Sequence, residues 1–256
     1  MFSLPIEVQL DILKCLDFDQ LFSVKQTNFY MRSLINKYEG TMARKNFHSL
    51  LIINENERNG FLDYIELKSG FFEFTWDDQI KEKWQAAINK SIPLFLHESE
   101  SVKNLFVSSP HMVCQKRYYL KLPTIPKNIE EMIYVRCWLE QLFKCAFKSV
   151  YFSECIFNRE MINILFDNDK THSLKFQIRQ AFLWPSNTTF EILLNFSVHH
   201  LSNFEALSMS LDKIDITEQH INILFKILIN EGNKLPKIYL RGFKSTKLYD
   251  LIIEVN

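Results

Sequence analysis

Glycine is scarce in this chain. The 256 residues include five, at positions 40, 60, 70, 232 and 242, each ten or more residues from the next. That spacing excludes G-x-G-x-x-G, the G-x-x-x-x-G-K-[ST] phosphate loop and G-x-S-x-G, and with them most nucleotide-binding and hydrolase signatures. Net charge is missing too: 30 Lys+Arg balance 30 Asp+Glu, so no global field steers the protein toward nucleic acid or anionic lipid. The five cysteines, Cys15, Cys114, Cys137, Cys145 and Cys155, are odd in number and contain no C-x-x-C. Neither a disulfide framework nor a structural zinc site is expected, and reduced thiols fit a cytoplasmic or nuclear setting. No stretch of 18 apolar residues occurs, so no membrane span is expected. Pro5, Glu7 and Asp11 interrupt the first dozen residues, which rules against a secretory leader.

Clusters that carry chemistry are also few. His199 and His200 are adjacent, about 100° apart on a helix, and His220 follows Glu218 without an H-E-x-x-H. Asp167-Asn-Asp169 opens like a calcium loop but lacks the required Gly and the later Glu. No thiol is marked as activated, although a Cys–His pair formed only by the fold stays open. The expectation is a non-enzyme without cofactor or metal.

What the chain does contain is a soluble composition, 47% hydrophobic and 23% charged, and an informative beginning. Residues 1–16 have helical periodicity with Pro5 in the first turn, where its missing N–H costs nothing. Ile6, Leu10 and Leu13 form one apolar stripe; Val8, Ile12, Cys15 and Leu16 form a second, leaving Glu7, Asp11 and Lys14 as a narrow polar face. Two stripes mean burial on two sides, one against its own unit and one against either a partner or the rest of the chain. Asp19 is the expected N-cap of a short second helix through Leu21, Phe22 and Val24, and a third helix is expected from Thr27 or Asn28 to Lys37.

The order Leu4-Pro5-x-Glu7, Ile12, Leu16, Asp19, Leu21, Val24 and then Gln26-Thr-Asn-Phe-Tyr-Met-Arg-Ser-Leu-Ile35 resembles an F-box. It departs from that pattern at Asn28 and Met31, where Cys or Ser and Trp are usual. The resemblance implies docking onto the Skp-type adaptor of an SCF cullin-RING ubiquitin ligase, and through it onto cullin. By motif position the adaptor contacts would be Leu4, Pro5, Ile12, Leu16, Leu21 and Val24, with Leu13 and Phe22 beside them. Physical size agrees, because three short helices bury too little surface to be stable alone.

Beyond residue 46 the expected organisation is a mixed connecting region, 47–127, and a strand–helix region, 128–256. In the first, strands are expected at Ser49–Ile53, Tyr64–Leu67, Phe71–Phe74 and Tyr118–Leu122, a helix at Asp77–Asn89, and a polar loop over 97–110. In the second, Asn128 should cap a helix with the stripe Met132, Val135, Leu139, Leu142, Phe143 and Ala146. Strand-like Val150–Phe152, Leu174–Ile178, Leu207–Leu211 and Ile238–Leu240 then recur 24, 33 and 31 residues apart, the first three followed by helical segments. The fold class is therefore α+β or α/β: a small N-terminal three-helix unit followed by a strand–helix repeat. That repeat is leucine-rich-repeat-like, or else a single α/β sheet with unequal crossovers. Segments such as Cys137-Trp-Leu-Glu-Gln-Leu and Ile216–Phe225 also resemble an expanded group of nematode F-box proteins.

In either architecture Leu174, Phe176 and Ile178 face helices, and alternation sends Lys175, Gln177 and Arg179 to the opposite face with Tyr151, Ser153, Ser208, Ser210, Tyr239 and Arg241. That face is the expected cargo surface for a protein substrate. Two other readings remain at this level. One is an interaction scaffold whose N-terminal helices pack internally, with no ubiquitin role; the other is an enzyme with an unmarked site.

Overall fold

The computed structural model describes residues 4–54, 63–64, 78–97, 103–108, 117–153, 155–166, 174–202, 205–232 and 237–255. The expected strand Phe71–Phe74, most of Tyr64–Leu67, Cys114 and Asp167-Asn-Asp169 lie outside these residues.

Three helices open the chain: α1 (Ile6–Lys14), α2 (Phe18–Thr27) and α3 (Phe29–Lys37). Pro5 stands at the N-cap of α1, and its carbonyl accepts from Gln9 N. The cap of α2 is Asp17, not the expected Asp19. Gln20 N donates to the Asp17 carboxylate at 2.8 Å while Asp17 N donates to Gln20 Oε1 at 3.0 Å. This reciprocal box satisfies two free amides at once, which a cap at Asp19 could not do. Asn28 caps α3 through Met31 N. The helices enclose their own small core of Leu13, Leu21, Leu34, Ile35 and Met42.

The chain continues with β1 (Lys45–Asn54), β2 (Asp63–Tyr64), α4 (Asp78–Asn89), β3 (Phe95–His97), β4 (Lys103–Ser108) and β5 (Arg117–Lys121). It then runs α5 (Ile129–Phe143), β6 (Cys145–Ser153), β7 (Cys155–Phe157), α6 (Arg159–Phe166), β8 (Phe176–Trp184) and α7 (Phe190–His200). It closes with β9 (Leu201–Ser202), β10 (Ala206–Ser210), α8 (Glu218–Glu231), β11 (Ile238–Arg241) and α9 (Lys247–Val255). The expected loop at 97–110 thus contains β4, which pairs antiparallel with β1 from Ser49↔Ser108 to Asn54↔Lys103. Pairing with a neighbour far along the chain outweighs its polar local composition. Ala146 belongs to β6 and not to the preceding helix, which ends at Phe143.

The sheet runs in the order β11-β10-β8-β6-β1-β4-β5-β2, with β9 also on β8. Strands β1, β6, β8, β10 and β11 are mutually parallel. From β6 each step moves one place in the same direction, and right-handed crossovers then put α6, α7 and α8 on one face. One core joins that face to the helices, with Val150, Phe152, Ala181, Leu183, Leu207 and Met209 buried beside Leu139, Ile162, Leu193 and Leu224. The same core includes Leu50 and Ile52 of β1 and Trp84 of α4. The expected boundary at 127/128 is therefore no boundary, because residues on both sides of it complete one sheet and one core. The smaller pair β3 and β7 anchors α4's end of the molecule. There Asn158 Nδ2 donates to Pro93 O at 2.9 Å, and Trp84 Nε1 reaches Ile164 O on α6 at 3.1 Å.

Strand faces do not alternate uniformly. In β8 the buried positions are Phe176 and Ile178, then Ala181 and Leu183; in β6 they are Phe147 and Ser149, then Val150 and Phe152. Both strands change face by one residue near the paired positions Ser149 and Gln180, and the inter-strand register continues unchanged on either side. The ladder skips the Lys148 position on both sides and then resumes with the same offset, so the side chains beyond it are reassigned while the strands stay in register.

Candidate protein-docking surfaces

Two surfaces collect many of the exposed apolar side chains; others, such as Tyr249 and Ile253 of α9, lie apart from both. The first lies on α1 to α3. Leu4, Pro5, Ile12 and Phe22 are exposed, joined by Ile6, Val8, Tyr30 and Phe29, the last 83% exposed. The sequence reading missed these last four as contact candidates. Ile6 shares a stripe with the buried Leu13, but it is the first residue of α1 and precedes the turn that packs. Leu13 and Leu21, expected as adaptor contacts, are 0% and 3% exposed in the three-helix core. They lie in the core beneath the exposed surface. Leu16 and Val24 are half-buried against the same core.

A buried polar side chain holds this surface in shape. Gln9 donates from Nε2 to Leu4 O at 2.7 Å and accepts at Oε1 from Tyr30 OH at 3.0 Å. Satisfied at both ends, it fixes the Leu4-Pro5 entry to α3 without a desolvation cost. Polar residues are rarely placed in a core by periodicity, so nothing in the sequence flagged Gln9.

The three-helix unit meets the sheet region through charge. Glu39 lies 3.5 Å from Lys25 of α2 and 3.2 Å from Lys144 in the turn after α5, and Lys144 also bonds Glu140 at 2.9 Å. Burial disfavours the Lys144 ammonium, but the bonds to Glu140 and Glu39 outweigh it and hold its pKa above the ordinary lysine value. Arg44 Nη1 donates to Phe143 O at 2.6 Å, and the Lys45 ammonium sits over the rings of Phe18 and Phe47.

The second surface is the sheet face opposite the helices. Because of the face change, Lys148, Gln177 and Arg179 point outward below it, while Tyr151, Ser153, Phe182 and Trp184 do so above. The Tyr151 and Phe182 rings stack at 5.0 Å and 9°, and Trp184 lies 6.0 Å from Tyr151 and 6.2 Å from Phe182. Ser208 is paired with both Phe182 and Tyr239, and Ser210 with Arg241. Tyr239 and Trp184 are 53% and 39% exposed, Ser208 is nearly buried, and Ser210 donates to Asp212 Oδ2 at 2.8 Å. Lys175 sits just before β8, half-buried. Arg179 forms an exposed ion pair with Glu205 at 2.9 Å. Phe182 and Trp184 were missed because a uniform alternation from Phe176 turns residues 182 and 184 inward.

A shallow groove of about 530 Å³ runs along Phe182, Ser208 and Tyr239. A second, of about 500 Å³, is lined by Arg44, His48, Lys148 and Arg179. Neither is an enclosed pocket around convergent titratable groups. Among the described residues no three His, Cys, Asp or Glu side chains gather to hold a metal ion, and no helix is long and apolar enough to cross a membrane.

Comparison with protein families gives two matches. The family described as Domain of unknown function (DUF8381) matches residues 65–212, more than half of the chain. The chain belongs to that family. Its match spans α4 to β10 and crosses the expected 127/128 boundary, in keeping with the shared core. An F-box domain matches residues 1–40, the segment that forms α1 to α3. This DUF8381 chain thus carries an F-box domain ahead of a mixed α/β unit whose sheet has five mutually parallel strands. No curated protein and no solved structure matches it.

Proposed function

We propose that this protein is a non-catalytic substrate-recognition adaptor of an SCF-type ubiquitin ligase. The observation that carries the reading is the coincidence of the F-box match with a patch of exposed large apolar side chains, Leu4, Ile6, Val8, Ile12, Phe22 and Phe29, on that same segment. Such a patch on so small a unit favours a permanent partner. The partner would be a Skp-type adaptor, linking the chain to cullin. The strand–helix region, leucine-rich-repeat-like in its one-directional winding, would hold a protein cargo on its bare sheet face. The Glu39–Lys25–Lys144 cluster and the Arg44–Phe143 bond tie the two parts together, which supports a role in presenting cargo at a defined orientation. Cytoplasmic or nuclear residence accords with the free thiols.

Co-expression with a Skp-type adaptor tests the reading. Stable co-elution, lost on replacing Leu4, Ile12 and Phe22 by Ala, is the expected result. A soluble monomer that ignores the adaptor would leave a scaffold with no ubiquitin role.

A further inference from the structure

One groove on the bare sheet face is lined by cationic side chains beside the aromatic rings. Although the whole chain is neutral, His48, Lys148, Arg179 and Arg44 line one groove without an acidic side chain among them, and Arg241 stands at the far corner. Two carboxylates lie on this side, Glu205, paired with Arg179, and Asp212, past the end of β10 and bonded to Ser210. Among the described residues Lys148, His48 and Arg241 form no ion pair. Further along the same strands lies the Tyr151–Phe182–Trp184 cluster, so one extended segment running along the strands would meet cations and then rings.

Resting on the reading that this face receives cargo, we propose that its occupant is an acidic, aromatic-bearing segment of protein. Its carboxylates lie over Lys148 and Arg179, and its apolar side chains lie against Tyr151, Phe182 and Trp184. Charge complementarity selects the sign of the partner, and the clustered rings supply the desolvated anchor site that tight contacts need. A single-stranded nucleic acid fits less well. Its bases need free ring faces, whereas Tyr151 and Phe182 already stack on each other at 5.0 Å. Its affinity also rests on neutralising many phosphates, and the face offers few cations.

The test uses the full chain co-purified with the Skp-type adaptor and three fluorescein-labelled probes. These are a short peptide pool randomised over Asp, Glu, Phe, Trp, Ser and Gly, the same pool with Lys and Arg replacing Asp and Glu, and an oligothymidine. Fluorescence polarisation should show the acidic pool binding at least about tenfold tighter than the basic one. Lys148→Glu and Trp184→Ala, measured separately, should each weaken the acidic pool about tenfold while the chain keeps its far-UV circular dichroism spectrum and a cooperative thermal transition. Equal binding of the two pools, binding of neither, or indifference to both variants overturns the proposal. So does oligothymidine binding more tightly than the acidic pool and being lost in the same variants. Adaptor co-elution from each preparation keeps the two readings apart. Loss of peptide selectivity with the adaptor retained refutes this inference alone, whereas selective peptide binding by a chain that never takes up the adaptor refutes only the ligase reading.

Discussion

Replacing Leu4, Ile12 and Phe22 by Ala separates the docking surface of the F-box from the core beneath it. These side chains are 38%, 39% and 52% exposed. Complete burial of a large apolar side chain is worth about 1.5–3 kcal/mol, so a partner covering the remaining surface gains about 0.6–1.5 kcal/mol at each. Together the three changes remove about 2–4 kcal/mol of binding, or about thirty- to several-hundred-fold in Kd. The rest of each side chain is already shielded in the free chain, so each single truncation also costs folding stability, less than at a fully buried position. Leu13→Ala is the mirror image: Leu13 is 0% exposed within a five-residue core, and truncation there costs about 2–5 kcal/mol of folding. The assay is adaptor affinity by isothermal titration, paired with the thermal midpoint of the free chain. Each single change, Leu4→Ala, Ile12→Ala and Phe22→Ala, should weaken the adaptor with a smaller fall in midpoint than Leu13→Ala, which should lower the midpoint of the three-helix unit most. A triple variant that binds as wild type, or single variants that each unfold as Leu13→Ala does, refute the argument, because the exposed stripe would then be structural.

Three further outcomes follow from the geometry. His200 is buried with Nδ1 on Leu174 O at 3.0 Å and Nε2 without a partner; burial lowers its pKa, the Leu174 bond partly restores it, and Arg159, His199 and Lys175 lower it further. The unfolded chain therefore takes up a proton that the folded chain refuses, and stability falls as pH drops below about 6.5, by at most about 1.4 kcal/mol per unit. His200→Gln should flatten the urea midpoint between about pH 7.5 and about pH 5.5, and parallel profiles would disprove the assignment. At Gly242 the backbone has φ +74° and an added Cβ would lie 2.4 Å from Asp212 Oδ1. Gly242→Ala should therefore cost about 1–3 kcal/mol and lower the thermal midpoint by several degrees, and an unchanged midpoint would contradict it. Burial pushes the Cys137 and Cys145 thiols up to about 11, with Glu140 adding to the effect at Cys137. Iodoacetamide at neutral pH should label exposed Cys15 first and those two only on unfolding, which peptide mapping reads directly.

Local patterns in the chain were legible where a short segment determines its own structure. Helix α6 was read at Arg159–Phe166 without error, because its apolar spacing is unambiguous over eight residues. Asn128 caps α5 as expected, with its side chain accepting from Glu131 N at 2.8 Å. The helix of the connecting region, with Trp84 on its inner face, was legible for the same reason. Failures cluster where two distant segments must meet. β4 lies in a polar stretch and exists through its pairing with β1, some fifty residues away. The true extent of β8, six residues beyond the expected Ile178, was hidden because Ala181-Phe-Leu-Trp184 is apolar in both phases.

The candidate surfaces divide in the same way. On the F-box, residue order alone identified Leu4, Pro5, Ile12 and Phe22, but motif position does not distinguish a side chain that faces a partner from one that faces the core. Leu13 and Leu21 needed three helices folded together before they could be assigned inward. On the sheet, Tyr151, Tyr239, Arg179 and Arg241 were legible from alternation, whereas Phe182 and Trp184 were not.

The sequence by itself determined the three-helix F-box, the alternation of strands and helices in the second part, and the absence of phosphate-loop and zinc-finger signatures, because each depends on residue spacing within one segment. Tertiary structure alone decided that residues 47–127 and 128–256 share one sheet, since β1 carries β4 on one side and β6 on the other. It also decided which side chains remain in water. A face change shared by adjacent strands leaves their offset unchanged, so no local pattern records it, and yet it sets which aromatic rings and which cations the sheet offers to a partner.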